Sequence, residues 1–232
     1  MTVIDSSDTP PQGDAPQGHA TEGGHHETPA QRHQKEHMAT WMFIGGDAVF
    51  FALEIFFWFY LRSLNTTGMW IGAKCSKLNP CTDGLGNPIT HPIPKAAIGY
   101  TLGVAALIIV SAAFIWFAEI QGRDGASRKA LTPLLGLGVL FSLAAIGLQF
   151  YQFQVLPFTT IDGTYASVFT FFMGSNIAHF LLVATIGTGL MNRARIGKYD
   201  NHNWYQLHLG RLFAVWVAFS CAVLAVIASF FA

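Results

Sequence analysis

Charge is scarce in this chain. Only 11% of its 232 residues are Asp, Glu, Lys or Arg, where soluble domains carry roughly 25%. The 13 acidic and 13 basic residues cancel, which argues against nucleic acid as a partner. Cysteine is sparse as well. Cys75 and Cys81 share the polar stretch CSKLNPC, and Cys221 lies in the last apolar run. Two such cysteines without further partners make no metal framework. On an oxidising side of a membrane they could close a small disulfide ring; otherwise they stay free thiols. The chain has no phosphate-binding glycine loop, nucleophile elbow, H-E-x-x-H helix or c-type haem motif. Nothing in it moves electrons by itself, so any redox chemistry belongs to a partner.

Apolar residues fill the space that charge leaves. They make up 52% of the chain and include 20 phenylalanines. Five apolar runs, about 39–62, 96–118, 131–153, 165–191 and 211–231, approach or exceed the ~20 residues that cross a bilayer as a helix. Turn formers separate them: Asn79-Pro80, Asp83-Gly84 and Pro88, Pro92 and Pro94; the charged stretch 121–130; Pro157 and Asp162-Gly163; and 192–209. Pro133 is expected at the start of the third helix, where proline is tolerated. The expected fold is all-α, a polytopic membrane bundle of five helices over residues 38–232.

Residues 1–37 read as a disordered, His-rich tail with His19, His25, His26, His33 and His37. This stretch lacks the apolar core of a cleavable signal, so the first apolar helix is expected to act as an uncleaved anchor. Counted by loop, nine basic residues (Arg32, Lys35, Arg123, Arg128, Lys129, Arg193, Arg195, Lys198 and Arg211) fall on the N-terminal side. Four (Arg62, Lys74, Lys77 and Lys95) fall on the other. The expectation is therefore a cytoplasmic N-terminus and an outer, periplasmic C-terminus.

The chemistry candidates are polar groups inside these runs. Asp47 and Glu54 lie two helical turns apart in the first run and share one face. Each acid costs on the order of 2.5–3.5 kcal/mol at mid-bilayer, which marks both as functional candidates. Proton relay, ion binding, and neutral carboxyls bonded to a neighbouring helix all remain open for them. Asn176 and His179, in GSNIAH, share a face of the fourth run. A haem ligand at His179 would need a second intramembrane histidine. The only near candidate, His208, sits at the inner edge of the fifth run. A mononuclear metal site lacks three converging ligands. In the third run Gln149 and Gln152 lie one turn apart and suit helix–helix hydrogen bonds, with Gln154 nearer the surface.

Two stretches carry a resemblance. FIGGDAVFFALEIFFWFYLRSL (43–64) and LQFYQFQVLPFTTIDGTYASVFTFFMGSNIAH (148–179) resemble subunit III of the haem–copper terminal oxidases. Asp47 occupies the family's acid before an apolar-aromatic run. LPFTTIDGTYAS looks like the family's P-F-x-x-x-D-G-x-Y-x-S. The G-x-H-G-x-H motif is matched with Asn176 at the first histidine and His179 at the second. A family glutamate corresponds to Gln152. The W-H-F-x-D-x-x-W motif keeps only Trp216, with Gly210 and Phe213 at the histidine and aspartate positions. Glu54 has no matched counterpart. The five-helix layout looks like the short form of the family.

The resemblance implies a non-catalytic subunit without redox centres in an aerobic respiratory oxidase, the cytochrome c oxidase type favoured. It would pack with subunits I and II, which hold the haems and copper, and with phospholipid. It would support proton uptake and stability of subunit I, with Asp47, Glu54, Asn176, His179 and Gln152 as proton or lipid-cleft candidates. The expected location is a bacterial or archaeal plasma membrane. The alternatives are a relative associated with nitric oxide reductase, an assembly or scaffold role, and a proton-coupled transporter.

Overall fold

The computed structural model describes residues 28–64, 70, 93–125, 128–199 and 204–231. Among them all regular structure is helical: α1 (Pro29–Ser63), α2 (Ile98–Arg123), α3 (Arg128–Gln154), α4 (Thr164–Arg195) and α5 (Tyr205–Phe230). All five are long and apolar enough to cross a membrane, so this is an integral membrane protein.

The helices overrun the apolar stretches, because hydrophobicity marks the hydrocarbon whereas capping chemistry ends the helix. The largest difference is at α1. Thr28 accepts from the Gln31 N–H at 3.4 Å while the Gln31 side chain accepts from the Thr28 N–H at 3.0 Å, and Pro29 follows the cap. This capping box starts the helix at Pro29. Residues 29–37 are therefore helical, not part of a tail as expected; residues 1–27 lie outside the described region. α2 continues five residues past the expected 118, to Arg123. α3 starts at Arg128, so Pro133 falls in the second turn and removes a helical bond to Lys129, where a helix-starting position was expected. α4 ends in a Schellman motif. Gly197 adopts φ 72° and donates to Ala194 O at 3.0 Å, and Lys198 donates to Arg193 O at 3.1 Å. The Cys75–Cys81 pair lies outside the described residues.

α2, α3, α4 and α5 form a ring in which each helix packs on its two neighbours, and α1 lies outside it, against α4 and α5. Lipid tails are as apolar as leucine, so close packing and hydrogen bonds hold these helices together. Ser111 on α2 donates to Gly138 O on α3 at 2.6 Å, and a Cβ on Gly138 would stand 3.0 Å from Ile115. At the α4–α5 crossing a Cβ on Gly210 would come within 2.5 Å of Leu190.

α1 buries one narrow seam. His33, His37, Thr40, Ile44, Asp47, Phe51, Glu54 and Trp58 alternate steps of four and three, and all are buried or half-buried. A 3.5-residue repeat keeps one stripe against its partners along a left-handed crossing. The opposite face exposes large side chains such as Met42, Val49 and Phe56. At the C-terminal end of α1, fully buried Trp58 packs with Trp70, Tyr165 and Phe172. Its Nε1 donates to Phe231 O at 3.3 Å, and Lys95 donates to Ser229 O, which ties the end of α5.

Candidate functional site

The seam delivers Asp47 to the line where α1 meets α4 and α5. One carboxylate oxygen lies 2.7 Å from His179 Nε2 on α4, and the other accepts from Trp216 Nε1 on α5 at 2.6 Å. Three helices thus meet at one carboxyl. The side chains of Asp47 and His179 are 14% and 18% exposed, so little water competes for these bonds. Phe51 closes the site on one side with its ring edge on Trp216, and Phe50 lies near the imidazole.

Hydrogen-bond chemistry fixes how many protons the site holds. His179 Nδ1 is 2.7 Å from Ser175 O, one turn earlier on α4. A carbonyl only accepts, so Nδ1 must carry a hydrogen. Nε2 and Asp47 then share one further proton: either imidazolium faces carboxylate, or neutral imidazole accepts from a protonated carboxyl. Both forms are net neutral, which keeps the cost of burial low. Trp216, a pure donor, holds the second oxygen in either form. The pair can therefore hold that proton on either side of its 2.7 Å hydrogen bond without changing its net charge.

Glu54 continues the seam two turns on, about 10 Å along the axis. It is 3% exposed and faces Ser175, the same residue whose carbonyl holds His179. Its Oε1 has no hydrogen-bond partner among the described residues. Such an orphan acceptor costs about 1–3 kcal/mol.

The other candidates separate. Asn176 is buried on α4, but among the described residues no hydrogen bond joins it to Asp47 or His179. Gln152 lies elsewhere altogether. It donates to Thr101 on α2 at 2.9 Å and accepts from Gln149 at 2.9 Å. That is the helix–helix hydrogen bonding expected for the glutamines, and it places Gln152 on the α2–α3 contact, away from the α1 seam.

Sequence reasoning missed Glu119. Placing the end of the second helix at 118 left this acid in a loop, whereas it is buried within α2 at 1% exposure. His208 Nδ1 lies 2.9 Å from one of its oxygens and Arg211 Nε 2.8 Å from the other, both from α5. The signal that could have found it is an acid directly after the second apolar run, with no turn former before Gly122 to end the helix there. His37 of α1 stacks on His208, and the Tyr205 hydroxyl donates to His33 O at 2.8 Å. These contacts dock the first turns of α1 onto α5.

Among the described residues no three His, Cys, Asp or Glu side chains converge on a point that could hold a metal ion. What the site offers is one proton shared between two side chains at a hydrogen-bonded crossing of three helices.

Similarity to known proteins points to one family. The family model described as cytochrome c oxidase subunit III matches residues 17–230. Similar proteins include cytochrome c oxidase subunit 3 of Formosania lacustris, 26% identical over 197 residues, and that of Polypterus ornatipinnis, 26% identical over 199. Each alignment covers 83% of this chain and 66% of the relative. The same protein from Latimeria chalumnae is 27% identical over 198 residues, with the same coverage. The chain thus spans 66% of the length of these relatives. With the family model covering nearly the whole chain and five membrane-crossing helices in place, this protein belongs to the cytochrome c oxidase subunit III family.

Proposed function

We propose that this chain is a non-catalytic subunit of an aerobic respiratory haem–copper oxidase, packed against a subunit I that holds the haems and copper and reduces oxygen. Its role there is to sustain proton uptake and protect subunit I during turnover. The observation that carries this reading is the Asp47–His179–Trp216 convergence. It is a net-neutral, proton-sharing pair built into a helix crossing. The distribution of basic residues supports an N-terminus on the cytoplasmic side; the membrane in this reading is a bacterial or archaeal plasma membrane. On that orientation Asp47 lies between the cytoplasmic cluster around Glu119 and the buried Glu54.

Mild-detergent purification through a C-terminal tag, read by haem spectrum and by mass spectrometry of co-eluting subunits, tests the proposal. The expected result is a haem–copper subunit I, a subunit II and oxygen consumption. Co-elution with a nitric oxide-reducing subunit moves the role to that enzyme. A colourless, partnerless bundle refutes the oxidase reading.

A further inference from the structure

The end of α1 that begins at Pro29 is held to α5 by stacked rings. His33 stacks on Tyr205 with centroids 4.5 Å apart and planes 15° apart, and His37 stacks on His208 at 6.1 Å and 17°. Further along, towards Asp47, the two helices face each other across a cavity of about 350 Å³. Thr40 and Phe43 line it from α1, and Gln206, Gly210 and Phe213 from α5. The first buried apolar side chain of α1 is Ile44, about two turns past His37. Until that point the rings, with the Tyr205–His33 bond, are what attach the segment.

Hydrogen-bond partners fix the protons on these rings. Trp41 Nε1 donates to His37 Nε2 at 3.1 Å, so that nitrogen keeps its lone pair and the ring is neutral. His208 Nδ1 lies 2.9 Å from a Glu119 oxygen, which only accepts, so Nδ1 carries a hydrogen. Arg211, 2.8 Å from the other oxygen, already balances that carboxylate. A proton added to His37 would set N–H against N–H, cost the Trp41 bond, and place a cation on the face of His208. The charged and titratable groups around the stack are Arg32, His33, Lys35 and Glu36 on α1, Tyr205, His208 and Arg211 on α5, and Glu119 on α2. Arg193 and Arg195 stand in the last turn of α4, at the same end of the bundle. Cations outnumber carboxylates among them, so the new charge would meet repulsion. His33 behaves in the opposite way, because a charged imidazole over the Tyr205 ring makes a cation–π contact.

We propose that His37 is a pH-operated latch: neutral, it docks the first turns of α1 on α5; protonated, it releases them. The released span runs from Pro29 to Thr40, at the edge of the cavity, and leaves Ile44 and Asp47 in place. Acidification on that side of the membrane thus opens the way to the cavity that lies before the Asp47–His179 pair. Imidazole suits the task because it is the side chain that ordinarily changes charge between about pH 5 and 8. The inference stands whichever complex the chain joins.

The test is amide hydrogen exchange of the purified full-length protein, read by mass spectrometry at about pH 8 and about pH 5.5 and corrected for intrinsic rates. Protection of peptides within 31–40 should fall about tenfold at the lower pH, the scale of one lost hydrogen bond, while peptides within α3 keep theirs. His37→Phe keeps a ring on His208 and takes no proton, so its protection should stay high at both values. His33→Phe should leave the response intact. Equal protection at both pH values in the wild-type chain overturns the proposal, and so does a full response in His37→Phe. Low protection of His37→Phe at both values also overturns it, because stacking would then not be what docks the segment. A response lost in His33→Phe would refute it by moving the switch to His33. A parallel fall in α3 would refute it as well, since the whole bundle and not the latch would be responding.

Discussion

Asp47→Asn and Asp47→Ala separate two properties of the same carboxyl. Asparagine keeps both contacts: its carbonyl accepts from Trp216, and its amide can donate to the bare Nε2 of neutral His179, whose Nδ1–H stays on Ser175 O. Alanine leaves the Trp216 N–H and His179 Nε2 unmatched, at about 1–3 kcal/mol each. Hydrogen bonds between membrane helices fall at the low end of such ranges, so about 2 kcal/mol in total is expected. At roughly 2–4 °C per kcal/mol for a chain of this size, alanine should lower Tm by about 4–8 °C and asparagine by less than about 2 °C. Thermal denaturation of the purified protein, followed by tryptophan fluorescence, measures both. In the intact complex both variants should shorten turnover lifetime in an oxygen electrode, because neither can hold the shared proton. Equal destabilisation by the two variants would refute the neutral-pair argument, since it would mean that the carboxylate charge itself is required. Loss of haem from the complex would instead assign Asp47 an assembly role.

Four further outcomes are expected. Glu119→Gln, which strips the charge that Arg211 and His208 share, should cost about 3–5 kcal/mol, and Glu119→Gln/Arg211→Gln should cost less than the sum of its parts; a double-mutant cycle on Tm reads the coupling. Gly210→Ala should cost about 1–3 kcal/mol because its Cβ meets Leu190, while Gly45→Ala, with nothing within 4 Å, should be neutral or slightly stabilising in the same melts. Gln152→Ala should lose about 0.6–1.7 kcal/mol with its bond to Thr101 and leave turnover lifetime unchanged, because it is remote from Asp47. Tyr199, outside the spans, has its hydroxyl pushed up to about 12 by burial, partly offset by Arg193. The folded value lies above the unfolded one, so its contribution is complete below about pH 10 and is lost as pH rises towards 12. Tyr199→Phe should flatten stability over that window in a pH-melting series.

The sequence by itself determined that the chain is a five-helix membrane protein. Long apolar runs broken by proline, glycine and charge admit no other backbone solution in lipid, where every N–H and C=O must be satisfied within the helix. It also marked Asp47, Glu54 and His179, because polar groups inside such runs are costly enough to need a reason. The capping box at Thr28 and the 3.5-residue repeat from His33 to Trp58 were present in the sequence as well. The polar composition of residues 29–37 masked both, because hydrophobicity reports burial in lipid and not helical order. Pairing was not legible. His179 lies 132 residues from Asp47 and Trp216 lies 169 away, and spacing within one helix says nothing about which face meets another chain segment. Gln152 carries the same buried polarity as Glu54, yet it bonds α2 and not α1. Glu119 was hidden by a helix end misplaced by five residues. Only the ring of α2–α5, with α1 laid along the α4–α5 line, decides which buried polar groups share a proton, which merely join two helices, and which hold a guanidinium from a neighbouring helix. The physical reason is that one-dimensional periodicity sets the face a side chain occupies, whereas close packing in three dimensions chooses its partner.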